Sequence, residues 1–360
     1  MRSKIIFSML MILALGACTK GPLVQSQQKQ FSGGFFTHWT NSVVQDSLLV
    51  SDGENFYFGT KNGNAFSVRA KNQKQNWRAK LSTSVDTSAL IDGDRVFFGT
   101  GDGMVHALDR KSGKTIWASD VSAPPRGMLT KAGGYVVVGT NEGIIYALNT
   151  DNGQIAWKYR QEPYEKMKIQ FFVKGAVDQN KLFAGFPNGE LVALDASNGT
   201  ELWKQWIVQP EARFYDLSSV TLIPQKGILV TSVQGEAALF SFQGQRLWAY
   251  ANISTQSAPF VMQDQIVIAA KEKVLFSNLD GTEKKSIPYG KTIRPAGVAV
   301  DNGNIYVTAF DGGLYVFNEQ TSQLVWEYQM GSAIQGAPMF LDGKIWTLNR
   351  RGQLISMMRR

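Results

Sequence analysis

The sequence predicts an all-β fold: an eight-bladed β-propeller of four-stranded antiparallel blades, its ring closed by an N-terminal strand that completes the last blade. Three observations predict it. A unit of about 40 residues repeats along the chain. Each copy alternates apolar and polar residues around a turn, and helical periodicity is absent throughout. Eight hairpins and eight outer strands can be counted, with one outer strand displaced to the opposite end of the chain.

The unit is clearest at Gly103 to Trp117, GMVHALDRKSGKTIW. A turn glycine opens a strand with Val105 and Ala107 on one face and His106 and Leu108 on the other. A polar Asp-x-x-x-Gly corner follows, then a tryptophan. The same order recurs at Gly143 to Trp157 and Gly189 to Trp203, and more loosely at Gly63 to Trp77, Gly235 to Trp248 and Gly313 to Trp326. Eight hairpins run from FYFGTKNGNAFSV to IWTLNRRGQLISM. Most place glycine at the turn, where a tight hairpin needs positive φ. The sixth, around Lys271-Glu272-Lys273, lacks it and is expected to turn less regularly. A short apolar strand precedes each hairpin and an outer strand follows, which makes a four-stranded blade.

The outer-strand positions read Trp39, Trp77, Trp117, Trp157, Trp203, Trp248, Ile287 and Trp326, spaced by 38, 40, 40, 46, 45, 39 and 39 residues. The chain stops just after the third strand of the last unit. The segment Phe35 to Thr40 supplies a fourth strand with no first three, so it is expected to close the ring and cover edges that would otherwise template aggregation. A buried indole contributes large apolar area, and its N–H needs a partner. One tryptophan per blade, wedged against the next blade, supplies both packing and register. The corner glycine supplies an unusual backbone angle.

The N-terminus has a different chemistry. Arg2 and Lys4 precede an apolar run of eleven residues, Ile5 to Leu15, and then Gly16-Ala17-Cys18. That order reads as an export signal, residues 1–17, and the run is too short to span a bilayer as a helix. Leu15-Gly16-Ala17-Cys18 resembles the lipobox of bacterial lipoproteins, which implies cleavage before Cys18 and lipidation of it. Cys18 is the only cysteine, so no disulfide stabilises the fold. Residues 18–34, rich in Gln, Ser, Lys and Gly, are expected to form a flexible tether, and residues 35–360 the single propeller domain. Without Arg2 and Lys4 the chain has 35 basic and 29 acidic residues, a net charge of +6. The basic residues are scattered, which excludes nucleic acid as an expected partner and leaves attraction to an anionic membrane or an acidic protein face.

The pattern in Ala107-Leu108-Asp109…Gly113…Trp117 and Ala193-Leu194-Asp195…Gly199…Trp203 resembles the repeat of the pyrroloquinoline-quinone-type propellers, and it covers nearly all of residues 35–358. Motifs of this kind specify architecture rather than function. Two groups share them. One is the quinoprotein dehydrogenases, which are larger and bind quinone and calcium on the ring axis; Asp86, Asp178 and Asp216 are available acids here, but nothing marks a calcium constellation. The other is the lipoprotein propeller of the outer-membrane β-barrel assembly machinery, and the lipobox, tether and length resemble that family. The resemblance implies a non-catalytic scaffold without cofactor on the periplasmic face of the outer membrane. Its partners would be the central barrel-inserting subunit and unfolded outer-membrane protein clients. The alternatives are a small quinone-dependent dehydrogenase and an adaptor of another envelope complex.

The spacings of 46 and 45 place extra residues in two adjacent inter-blade connections, Arg160 to Gln170 and Trp206 to Asp216. The family extends the same two connections and uses them to hold the barrel-inserting subunit. Its apolar-polar-apolar-Arg motif falls on Met167-Lys168-Ile169-Gln170, with Gln170 in place of the arginine. Its basic residue and paired acids fall on Arg213, Asp216 and Ser218, with the second acid missing. The implied contacts are Met167, Ile169, Gln170, Arg213, Phe214 and Asp216. Independently of the family, aromatics, Met and Arg concentrate here as they do at interface centres. His38 and His106, the only histidines, make no credible metal site, and Gly99-Thr100-Gly101-Asp102-Gly103 lacks the Lys-Ser/Thr and helix of a phosphate loop.

Overall fold

The computed structural model describes residues 36–37, 47–161, 175–207 and 216–358. They form eight four-stranded antiparallel blades. Blade 2 is representative: Leu90–Asp92, Arg95–Gly99, Met104–Asp109 and Thr115–Asp120 pair in sequence order. The first strands of neighbouring blades meet one another and so lie innermost. Between blades 2 and 3 the approach extends to a two-residue parallel bridge, Thr87–Ser88 against Gly127–Met128.

Eight clusters of buried side chains fill the spaces between successive blades. The core is therefore a ring of blade-to-blade seams. Each side of a middle strand contributes to a different seam, which is why those strands are apolar on both faces.

Blade 8 is completed as the sequence predicts. Phe36–Thr37 pairs antiparallel with Ser356 and Ile355. Behind that pairing, Phe56, Phe58 and Phe66 of blade 1 pack with Trp346, Leu348 and Leu354 of blade 8, and the Phe56 and Trp346 rings sit 4.8 Å apart.

The tryptophan series acts as a latch between blades. The Trp77 indole N–H donates to the Arg110 carbonyl at 2.8 Å, Trp117 to Thr150 at 3.0 Å, Trp157 to Ala196 at 3.1 Å, Trp203 to Phe242 at 3.2 Å and Trp248 to Leu279 at 3.2 Å. Each acceptor lies in the corner of the following blade, two or three residues before its glycine. The indole then covers that glycine. A Cβ at Gly113, Gly153, Gly199, Gly244 or Gly281 would meet the tryptophan at 2.4 to 2.8 Å.

The register corrects the sequence reading at one slot, in blade 6. In each of blades 1 to 7 one residue bulges out of the outer strand just before the latch position. In blade 6 that bulge places Lys285, not Ile287, at the latch, opposite Phe276. Even spacing had pointed to Ile287, which is buried two residues further along the strand. The Lys285 ammonium lies over the Phe276 ring at 4.6 Å and donates to the Glu319 carbonyl of the next corner. That is the bond the indole makes elsewhere. In blade 8 Phe36 faces Ser356, as Trp117 faces Ala107 in blade 2. That register is the one the latch residues hold in the other blades; Trp39, expected at this slot, lies outside the described residues.

These two corners lack glycine yet keep its backbone. Ser322, after Lys285, has φ +59°, and Gln73, after Phe36, has φ +56°. At the second of them the Gln73 side-chain amide donates to the Ala70 carbonyl at 2.7 Å. Glycine thus appears at a corner where an indole covers it; positive φ alone does not require it.

The bulge residues account for half of the exposed large apolar side chains among the described residues. Ile116, Leu202, Leu247 and Val325 are each the extra residue before a tryptophan, turned out to solvent. The sixth hairpin differs from expectation in length rather than regularity. Ala270 N–H bonds to the Lys273 carbonyl across two residues, where Thr60 N–H reaches Asn64 across three.

Candidate interaction face

Hairpin tips and outer-to-inner connections emerge on the same face of the ring. The Leu81, Val121, Gln161 and Ile207 amides, at the ends of outer strands, bond to the tip glycines Gly63, Gly103, Gly143 and Gly189 of their own blades. Gly101 N–H bonds to Ser84 O and Arg350 N–H to Ala333 O, which ties each tip to the connection entering its blade.

The two long connections stand on fixed feet. The first leaves at Gln161, whose side-chain amide donates to Glu190 at 2.6 Å. It returns at Gly175, whose N–H donates to the Thr130 hydroxyl at 3.0 Å. The second leaves at the buried Ile207 and returns at Asp216, whose carbonyl accepts from Val233 at 3.0 Å. These feet belong to blades 3, 4 and 5, so the connections start side by side. Trp206, the last residue of blade 4's outer strand, is half exposed at the base of the second one.

Of the six residues singled out for partner contact, Met167, Ile169, Gln170, Arg213 and Phe214 lie outside the described residues. Asp216 is described and is fully buried. Its place in the ring is that of Ser84 in blade 2, at the entry to an inner strand, and its carboxylate is turned into the protein. The half-exposed Trp206 was part of the expected ridge by residue type but not among those six.

The polar groups elsewhere on this face have structural partners. His106 is buried with Nε2 at 3.3 Å from the hydroxyls of Ser82 and Thr100. Burial lowers its pKa, against a smaller opposing effect of the Asp102 carboxylate. Asp86 is buried and held by Arg126 at 2.9 Å, while its Oδ1 has no hydrogen-bond partner. Asp86, Asp178 and Asp216 belong to blades 2, 4 and 5 and do not converge. Among the described residues no group of three or more His, Cys, Asp or Glu is placed to hold a metal. Thr100 to Met104 is a hairpin turn, closed by Gly103 N–H to Thr100 O at 3.1 Å.

With that geometry in hand, the likeness to known proteins can be weighed. The family described as outer membrane protein assembly factor BamB matches residues 38–287 and 280–358, most of the chain. The chain belongs to the BamB family. A curated BamB from Nitrosomonas eutropha is 30% identical over 89 residues, which is 23% of this chain and 22% of that protein. The chain thus spans about a fifth of that relative's length. The BamB crystal structure from Moraxella catarrhalis superposes with a TM-score of 0.78 at 17% identity, over 90% of this chain and 100% of that one. The fold is shared more widely: quinohemoprotein alcohol dehydrogenase ADHIIG from Pseudomonas putida gives 0.69 at 13% identity, over 93% of this chain and 77% of its own. That breadth is expected of an architecture held by blade seams and latches.

Proposed function

We propose that this member of the BamB family is a non-catalytic scaffold lipoprotein of the outer-membrane β-barrel assembly complex. It is anchored through Cys18 at the periplasmic face of the outer membrane and holds the central barrel-inserting subunit. The ridge built on residues 160–170 and 206–216 is the contact. The observation that carries this reading is the set of adjacent feet on blades 3 to 5, at the two places where the repeat spacing lengthens to 46 and 45, beside the half-exposed Trp206. A ring held by blade seams suits scaffolding, because the seams fix the feet from which the two long connections leave. Unfolded outer-membrane proteins are proposed as clients of the assembled complex.

The test is recovery of the tagged lipoprotein from mild detergent extracts. Its partner should be the barrel-inserting subunit, and Met167→Asp combined with Arg213→Glu should reduce recovery of that subunit at least tenfold, the scale of about 1.4 kcal/mol, while the thermal transition stays in place. Unchanged recovery would move the contact away from the ridge. Calcium-dependent uptake of pyrroloquinoline quinone by the purified chain would instead favour a dehydrogenase.

A further inference from the structure

Among the described residues, the face that carries the tips is divided by charge. On blades 6, 7, 8 and 1 it presents Lys61, Lys271, Lys273, Arg294, Arg350 and Arg351, all exposed except the half-exposed Lys273. Among the described residues none of the six makes an ion pair. Lys61, Lys271 and Arg350 occupy one equivalent tip position. Blades 2 to 5 hold Gly101, Asn141, Pro187 and Val233 there, with the exposed acids Asp102 and Glu142 next to the first two.

Backbone bonds make the cations neighbours across blades. Ile293 N–H bonds to Lys271 O and Phe310 N–H to Arg294 O, both at 2.9 Å. Ile334 N–H then bonds to Ala309 O and Arg350 N–H to Ala333 O, which carries the row from blade 7 to blade 8. The Arg294 guanidinium lies 5.5 Å from the centre of the Phe310 ring. Among the described residues the acids in this sector are Glu272 and Asp311 at the tips, and Glu327, which is taken by Lys291 at 2.9 Å.

We propose that this sector seats on an anionic phospholipid surface and sets how the ring stands on its membrane. The proposal rests on the reading that Cys18 carries a lipid. Six separate cations spread over four blades suit a delocalised anionic surface, whereas a single bound anion would draw its basic groups together. The N-terminal chain joins the ring on one of these four blades, pairing with blade 8 at Phe36–Thr37. Cys18 lies 18 residues earlier, and 18 extended residues reach at most about 60 Å. The lipid would hold the protein at the surface, and the basic sector would choose which part faces it.

Because Cys18 is the only cysteine, a fluorophore can be placed through one new cysteine on the full lipidated chain. Asp311→Cys marks the tip of blade 7, and Gln320→Cys marks the opposite end of the same blade. Vesicles of phosphatidylcholine with phosphatidylglycerol, carrying a headgroup spin label, are compared with vesicles of phosphatidylcholine alone. The expected result is quenching at position 311 and not at 320, only with phosphatidylglycerol, and lost in high salt. Lys271→Gln, Arg350→Gln and Arg351→Gln together should lower the face-down equilibrium roughly a hundredfold, at about fivefold per charge. Equal quenching at both positions, or no dependence on phosphatidylglycerol, overturns the proposal. Polyglutamate binding that the triple variant loses, without lipid-dependent quenching, assigns the sector to an acidic polypeptide and also overturns it. Flotation with vesicles in high salt reads the anchor separately: its failure removes the lipid reading, while the low-salt quenching still decides the basic sector.

Discussion

Replacing Gly199 by alanine drives a methyl group into the tryptophan of the preceding blade. Two costs follow, and they can be separated. Gly199 has φ +76°, a conformation that costs a residue with a Cβ about 1–2 kcal/mol. The new Cβ would also lie 2.5 Å from Cε3 of Trp157, so the indole must move. Moving it breaks the Trp157 bond to Ala196 O, worth about 1 kcal/mol, and strains the seam, typically by another 1–3 kcal/mol. The total is about 3–6 kcal/mol. Gly303 is the control: its φ is +68°, with nothing within 4 Å of an added Cβ, so Gly303→Ala should cost only the backbone share of about 1–2 kcal/mol. Urea denaturation followed by tryptophan fluorescence and far-ultraviolet circular dichroism gives both values. Trp157→Leu should then bring the cost of Gly199→Ala down toward the control, a coupling read from a double-mutant cycle. Equal costs for Gly199→Ala and Gly303→Ala would refute the claim that the indole, rather than the backbone angle, demands glycine at the corner.

Other outcomes follow from the same seams. Lys285→Met keeps the stem over Phe276 but removes the donor to Glu319 O, and should destabilise by about 1 kcal/mol in urea melts. Arg126→Ala should cost about 3 kcal/mol because it leaves Asp86 charged and buried; Asp86→Asn in the same chain should recover part of that loss in thermal melts. His106 is held neutral by burial, which depresses its folded pKa, whereas in the unfolded chain it takes up a proton near pH 6.5. Its contribution is therefore complete above about pH 6.5 and is lost as pH falls through that value toward the lowered folded one. The decline in melting temperature from neutral to mildly acidic pH should be shallower in His106→Gln than in the parent protein.

Much of the ring was legible from the one-dimensional repeat. Turn glycines, alternating strands and the Asp-x-x-x-Gly corner are local devices, and each copy states them again. Closure was legible too, because a fourth strand was missing at one end and an orphan strand stood at the other. The latch residues were less so. Counting equal spacings assigned Ile287, but the blade 6 hairpin is one residue shorter than that of blade 1, so even spacing does not carry the register there. Lys285 could have been suspected from one signal: the corner after it holds Ser322 where the five preceding corners hold glycine. The interaction ridge was marked by length, at spacings of 46 and 45, yet Asp216 shows how a motif position can point inward. Nothing in the order of residues along one strand says which way its end is turned.

The sequence by itself determined the repeat, the number of blades and the manner of closure, because strand period and turn chemistry act between near neighbours. Only the tertiary structure decided why the corners are glycine, which side chains latch one blade to the next, and how the cations gather on blades 6, 7, 8 and 1. Those features arise between residues some 30 to 40 positions apart, such as Trp77 with Arg110 and Trp157 with Ala196. They are brought together when the ring curves back on itself, so the chain writes each partner down far from the residue it serves.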